Sequence, residues 1–119
     1  MSEQGIELGK HGENLAEEFF RMRGYETVVR NWRCRYGEID LVVLRGGDLR
    51  AIEVKTRRSL AAGYPEEAVD ERKLEHLEAA IDQFLDERPE LPLDCHLDVL
   101  SIIIGADEKA QYYYLPDVE

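Results

Sequence analysis

Apolar residues recur at helical spacing near the start of the chain. Leu15, Ala16, Phe19, Phe20 and Met22 share one side of a 3.6-residue period, which predicts a helix over 6–23. Arg21 and Arg23 sit in its last turn, where cations meet the negative end of the helix dipole, and Gly24 follows as the cap. The period then changes. Tyr25–Trp32, with Val28 and Val29 at its centre, reads as a strand. Glu38–Leu44 reads as a second, and its Ile-Asp-Leu-Val-Val-Leu run is apolar enough to suit a strand covered on both faces. Leu49–Thr56 is a third. Gly46-Gly47 between the last two predicts a tight antiparallel hairpin.

After a loop at 59–64, Pro65 opens a second helix predicted to run to Glu87. Its inner stripe is Val69, Leu74, Leu77, Ile81, Phe84 and Leu85. Glu71, Glu75, Glu78, Asp82 and Asp86 form a solvated outer face, and Pro89 and Pro92 end the helix. His96–Ile104 is a fourth strand. Gln111–Leu115, with three tyrosines, is a fifth at an edge. The order α-β-β-β-α-β-β predicts an α/β fold with one mixed β-sheet flanked by helices. The length suits a single domain over 1–119.

One acid interrupts the apolar pattern. Asp40 opens the run that should be a buried strand. Strand alternation places Asp40 on a face with Glu38 and Val42. On the next strand Ala51, Glu53 and Lys55 share a face, while Ile52 and Val54 point the other way. Counting outward from the glycine turn brings Asp40 and Glu53 roughly opposite one another. Two carboxylates that close repel, so each must protonate or find a cation. Mg²⁺ or Mn²⁺ resolves the conflict, since hard ions take one or two carboxylates and keep several waters. Water on such an ion can attack phosphorus. Lys55 can orient or deprotonate that water, or stabilise charge on the phosphate. Glu-x-Lys on a strand is also the ordinary pattern of a solvated cross-strand ion pair. It is Asp40, in register across the glycine turn, that sets these three residues apart.

The formal net charge of −11 argues by itself against a nucleic-acid partner. The distribution argues otherwise. Residues 1–20 carry −4, residues 21–58 carry +5 from ten basic and five acidic side chains, and residues 59–119 carry −12. Positive charge is thus gathered around the candidate cluster, although a chance bias on a solvated surface fits the same numbers. No run approaches the length of a membrane span. The first residues lack the basic and apolar regions of a signal peptide, so a cytoplasmic protein is expected. Cys34 and Cys95 suit two reduced thiols, and His11, His76 and His96 lack zinc-type spacing.

Asp40, twelve intervening residues and then Glu53-Val54-Lys55 resemble the PD-(D/E)xK nuclease superfamily, with Ile39 where that name has proline. More closely, the chain resembles the YraN family of bacterial proteins, regarded by similarity as endonucleases. The matching segments are Gly12-Glu13-Asn14-Leu15-Ala16, Gly24-Tyr25, Asn31-Trp32-Arg33, Gly37-Glu38-Ile39-Asp40-Leu41-Val42, Glu53-Val54-Lys55-Thr56-Arg57 and Leu97-Asp98-Val99. The resemblance implies a restriction-endonuclease-like core, Asp40 and Glu53 as metal ligands, and Lys55 as the catalytic lysine. A similarity to archaeal Holliday-junction resolvases adds a glutamate of the first helix as a further catalytic residue and ligand. Glu13 matches that position, with Glu17 one turn later as the alternative. The implied activity is Mg²⁺- or Mn²⁺-dependent endonucleolytic hydrolysis of phosphodiester bonds in DNA, branched or otherwise structured. The ion would bind weakly until substrate phosphates complete its shell. Arg30, Arg33, Arg35, Arg57 and Arg58 would contact phosphates.

Two other readings fit the same residues. One is a non-catalytic module that keeps the nuclease fold and binds nucleic acid. The other is a protein-interaction subunit, for instance a homodimer paired along the aromatic edge at Tyr112-Tyr113-Tyr114.

Overall fold

A computed structural model describes residues 3–59 and 69–118. Helix α1 spans Glu3–Arg21 and is followed by strands β1 Glu26–Cys34, β2 Gly37–Arg45 and β3 Asp48–Arg57. Helix α2 spans Glu71–Asp86 and precedes β4 Cys95–Ile104 and β5 Ala110–Leu115. The element order is the expected one. Among the described residues, no helix is long and apolar enough to cross a membrane.

Helix α1 buries Ala16, Phe19 and Phe20 at the expected spacing. Met22, counted on the same stripe, is instead 74% exposed, because the helix ends at Arg21 before the stripe reaches it. Past that end, the Arg23 guanidinium turns back to donate to the Phe19 carbonyl at 2.9 Å. Gly24 takes φ +87, and the Tyr25 N–H closes on the Phe20 carbonyl at 3.0 Å. A left-handed glycine satisfying the last carbonyls is the usual way to stop a helix.

The five strands form one sheet in sequence order, β1-β2-β3-β4-β5. Only the β3–β4 pair is parallel; the other three are antiparallel, so the sheet is mixed. In the β2–β3 turn, Gly46 takes positive φ (+58) and Gly47 does not. A register shift between Thr27 and Val29 lets the neighbours Val28 and Val29 both pack on the α2 side.

Each helix covers one face. On the α1 side Phe20, Tyr25, Leu41, Ile52, Leu100 and Ile102 pack together. On the α2 side Ile39, Val42, Ala51, Leu77, Phe84 and Leu97 do so. Strand β3 alternates as expected, with Ala51 in the second core and Ile52 in the first. Helix α1 sits close to β3, because a Cβ on Gly12 would lie 1.7 Å from Thr56 Oγ1.

Helix α2 starts at Glu71 rather than at Pro65, which lies outside the described residues. Asp70 is its N-cap and accepts from the Lys73 N–H at 2.9 Å, while Val69 and Asp70 are themselves non-helical. Its last residue is Asp86, with Glu87 as the C-cap.

A polar cluster closes the sheet at the start of β3. Asp98, fully buried, accepts from Arg50 Nη1 at 3.1 and 3.2 Å, from the Tyr114 hydroxyl, and from the Asp117 N–H at 2.9 Å. Arg50 also donates to Asp48 at 3.0 Å, and Asp48 accepts from the Tyr25 hydroxyl. Tyr114 is raised above the usual phenol range, by burial first and then by its hydrogen bond to Asp98.

Candidate active site

The β2–β3 ladder runs from Arg45–Asp48 at the turn to Leu41–Ile52 as its last pair. Beyond it the Asp40 carboxylate takes over, accepting the Val54 N–H at 2.8 Å. Strand β2 turns over at this point. Ile39 packs in the α2 core and Leu41, two residues on, in the α1 core. A regular strand would keep both on one face. Across on β1, Asn31 lies between the paired residues Arg30 and Trp32 and adopts φ 51, a left-handed conformation that asparagine tolerates. The local irregularity thus sets Asp40 where β2 and β3 part.

Glu53 is buried in β3, one position before Val54. Burial first, and the Glu53 charge second, push the Asp40 carboxyl up to about 7. The Val54 N–H works against that rise, and Glu38 and Glu13 add to it. The charge of Glu53 therefore bears on Asp40, one position beyond the last pair of the ladder. Lys55 is half-buried on the same strand and makes no ion pair with a described residue.

Glu13 reaches the site from α1. Its Oε1 accepts from Asn31 Nδ2 at 3.2 Å and lies 3.5 Å from Arg30 Nη2. Glu17 instead holds Arg30 at 3.0 Å and accepts from Thr27. Of these two glutamates, Glu13 is the one whose charge bears on Asp40.

The five arginines are placed differently from one another. Arg30 is drawn onto α1 by Glu13, Glu17 and Asn14. Arg33 lies 3.7 Å from Glu38 and is largely exposed. Arg35 lies over the Tyr36 ring, 4.8 Å from its centroid. Arg57 ends β3, and Arg58 pairs with Glu108 at 3.0 Å on the surface.

Sequence reasoning did not single out Lys73. Its Nζ sits 2.7 Å from Glu53 Oε1, an ion pair that joins α2 to β3. Burial works to discharge this ammonium. The hydrogen bond and charge of Glu53, with the charges of Asp40 and Asp70, outweigh it and hold Lys73 above the usual lysine range. One signal pointed here: Lys73 continues the buried stripe of Leu77, Ala80 or Ile81, and Phe84 one turn back. A charge on an apolar stripe calls for a buried partner. Next to it, Tyr36, Gly37, Glu38, Asp70, Arg72, Lys73, His76 and Leu77 line an open groove of about 410 Å³.

Among the described residues, no three His, Cys, Asp or Glu side chains gather closely enough to hold a metal ion alone. Asp40 and Glu53 do lie near enough for the charge of Glu53 to raise Asp40. That donor set fits Mg²⁺ or Mn²⁺, which accept one or two carboxylates and complete their shells with water and phosphate oxygens.

The sequence profile of the uncharacterised protein family UPF0102 matches residues 12–102, a span that includes Glu13, Asp40, Glu53, Lys55 and Lys73. The UPF0102 protein of Syntrophomonas wolfei is 43% identical over 98 residues, covering 82% of this chain and 85% of its own. That of Caldicellulosiruptor saccharolyticus is 40% identical over 103 residues, covering 87% of each. That of Rhodococcus opacus is 38% identical over 112 residues, covering 94% of this chain and 95% of its own.

Proposed function

The chain belongs to the uncharacterised protein family UPF0102, which is the YraN family, and we propose that it is a metal-dependent endonuclease acting on DNA. One observation carries this reading: Asp40 and Glu53 converge where β2 leaves β3, with Lys55 two residues further along β3. Two carboxylates and a lysine at the open end of a hairpin are the residue types that phosphodiester hydrolysis needs. The basic run of residues 21–58 supports a polyanionic substrate despite the acidic chain.

When bound, Mg²⁺ or Mn²⁺ supplies a Lewis acid and a water of lowered pKa. Asp40 and Glu53 would hold the ion. The Val54 N–H fixes the Asp40 carboxylate at the strand end, and Glu53 is buried in β3 beside it. Glu13 adds negative charge from the α1 side and is the candidate for a third, outer contact. Lys55, with no described acid to neutralise it, is left to orient the attacking water or to offset charge on the phosphate. Arg33, Arg35, Arg57 and Arg58 would hold the backbone on either side. Arg30 also belongs to that set, but it must first loosen from Glu13 and Glu17.

The test is direct. Purified protein is incubated with flap, junction, single-stranded and plain duplex DNA in Mg²⁺ or Mn²⁺, beside Asp40→Ala and Lys55→Ala. The expected result is cleavage of at least one substrate, lowered about 100-fold or more in both variants. Cleavage of none overturns the reading. Cleavage that survives Asp40→Ala assigns the activity to another site or to a contaminant.

A further inference from the structure

We infer that Lys73 is the built-in counter-cation of the site: its ammonium occupies the Glu53 oxygen that a divalent ion would take, and ion binding displaces it into the groove beside α2. This inference rests on the metal-site reading above and adds a regulator to it.

Three observations carry it. The first is contact. Lys73 Nζ stands 2.7 Å from Glu53 Oε1, and Glu53 is buried. A buried carboxylate left bare is costly, and the Lys73 ammonium offsets that cost while no metal stands there. Lys55, the lysine of the motif, makes no such pair with a described residue. The second is charge. Lys73 brings one positive charge to two facing carboxylates, and Glu38 and Glu13 bear on the same place. A pair of carboxylates is better matched by a doubly charged ion with a preference for oxygen than by one ammonium, which favours the exchange.

The third is room to move. The Lys73 side chain is 39% exposed and lines the open groove with Tyr36, Gly37, Arg72 and His76. Its four-carbon stem lets the ammonium swing without moving the helix. The backbone of Lys73 stays fixed meanwhile, because its N–H is held by Asp70. A planar arginine fork, pre-organised for a carboxylate, would be harder to displace.

A permanent structural ion pair makes a different forecast, and Mn²⁺ affinity separates the two. Free Mn²⁺ is followed by electron paramagnetic resonance during titration of the full chain, without DNA, for wild type, Lys73→Met, Lys73→Arg and Glu53→Gln. Lys73→Met should bind Mn²⁺ about tenfold more tightly than wild type, the size of coupling usual for groups in contact. Lys73→Arg should bind more weakly than wild type, and Glu53→Gln should lose binding. In thermal melts, ion-free Lys73→Met should unfold below wild type and gain more from Mn²⁺ than wild type does. Should the Met variant fail to fold by circular dichroism, Lys73→Gln carries the same comparison. Measurable wild-type binding with equal or weaker binding by the Lys73 variant overturns the counter-cation and leaves the metal site standing. Absence of Mn²⁺ binding by both, at ion concentrations that fill even a weak site, overturns the metal-site reading, and the counter-cation with it.

Discussion

The Val54 N–H donates to the Asp40 carboxylate at 2.8 Å, with Asp40 one residue and Val54 two residues past the last pair of the β2–β3 ladder, Leu41–Ile52. A side chain thereby extends a ladder that the main chain has abandoned. The bond has two parts that substitution can separate: the acceptor that fixes the strand end, and the charge that faces Glu53. Asp40→Asn keeps the first and removes the second, whereas Asp40→Ala removes both.

That separation gives a pH dependence. Asp40 sits at about 7, above its unfolded value of roughly 4. A carboxyl raised in the folded state stabilises the fold below the unfolded value, and the contribution is lost as pH rises through the folded one. Wild type should therefore lose stability between about pH 4 and pH 7 relative to Asp40→Asn. At pH 8 the variant should be the more stable by up to a few kcal/mol, and the two should converge near pH 4. Urea denaturation at several pH values measures this. Mn²⁺ at pH 8 should narrow the gap by stabilising wild type alone.

The two glutamates of α1 should part company in activity. Glu13 bears on Asp40, while the bonds of Glu17 run to Arg30 and Thr27. Glu13→Gln should lower cleavage about 10- to 100-fold, the range for outer partners of a metal site, and Glu17→Gln only slightly. Equal losses would assign both residues to holding α1 on β1.

Gly12 leaves no room for a methyl group. A Cβ there would meet Thr56 Oγ1 at 1.7 Å, and that oxygen belongs to a short β-branched side chain with little freedom to retreat. Gly12→Ala should cost about 1–3 kcal/mol through overpacking. Thr56→Gly in the same chain should return much of the loss, visible as a positive coupling in a double-mutant cycle.

Asp98 is expected to be the most sensitive polar residue of the fold. It is fully buried and serves Arg50, Tyr114 and the Asp117 N–H together. Asp98→Asn leaves the Arg50 charge partly uncompensated and should cost about 3 kcal/mol or more. Tyr114→Phe removes one neutral donor and should cost about 1 kcal/mol. Chemical denaturation compares them, with near-ultraviolet circular dichroism checking that each variant reaches the native state.

Periodic patterns were readable in the sequence because they depend on neighbours in the chain. The stripe of Ala16, Phe19 and Phe20, the alternation of Ala51 and Ile52, and the glycine turn all follow from local geometry. So does the approach of Asp40 to Glu53, since a short hairpin fixes its own register. Features that depend on distant partners were not readable. Lys73 finds Glu53 across twenty positions of chain; its place on the apolar stripe of α2 says that it needs a partner but not which one. The hold of Glu13 and Glu17 on Arg30 was not readable either, because it joins α1 to β1 across the fold. The reversal of β2 at Asp40 has no periodic signature either, because it breaks the period.

The close seat of Gly12 on Thr56 also sets a gauge. Three of the four candidate site residues belong to the sheet, and only Glu13 belongs to the helix above it. A constellation split between two layers holds its shape only while the gap between the layers is constant. Here that gap is calibrated by an absent carbon atom, immediately next to the residue whose height matters most. The sheet layer and the helix layer can exchange their apolar side chains for others of similar bulk, but the spacing at this single point is the datum from which the geometry of the site is measured.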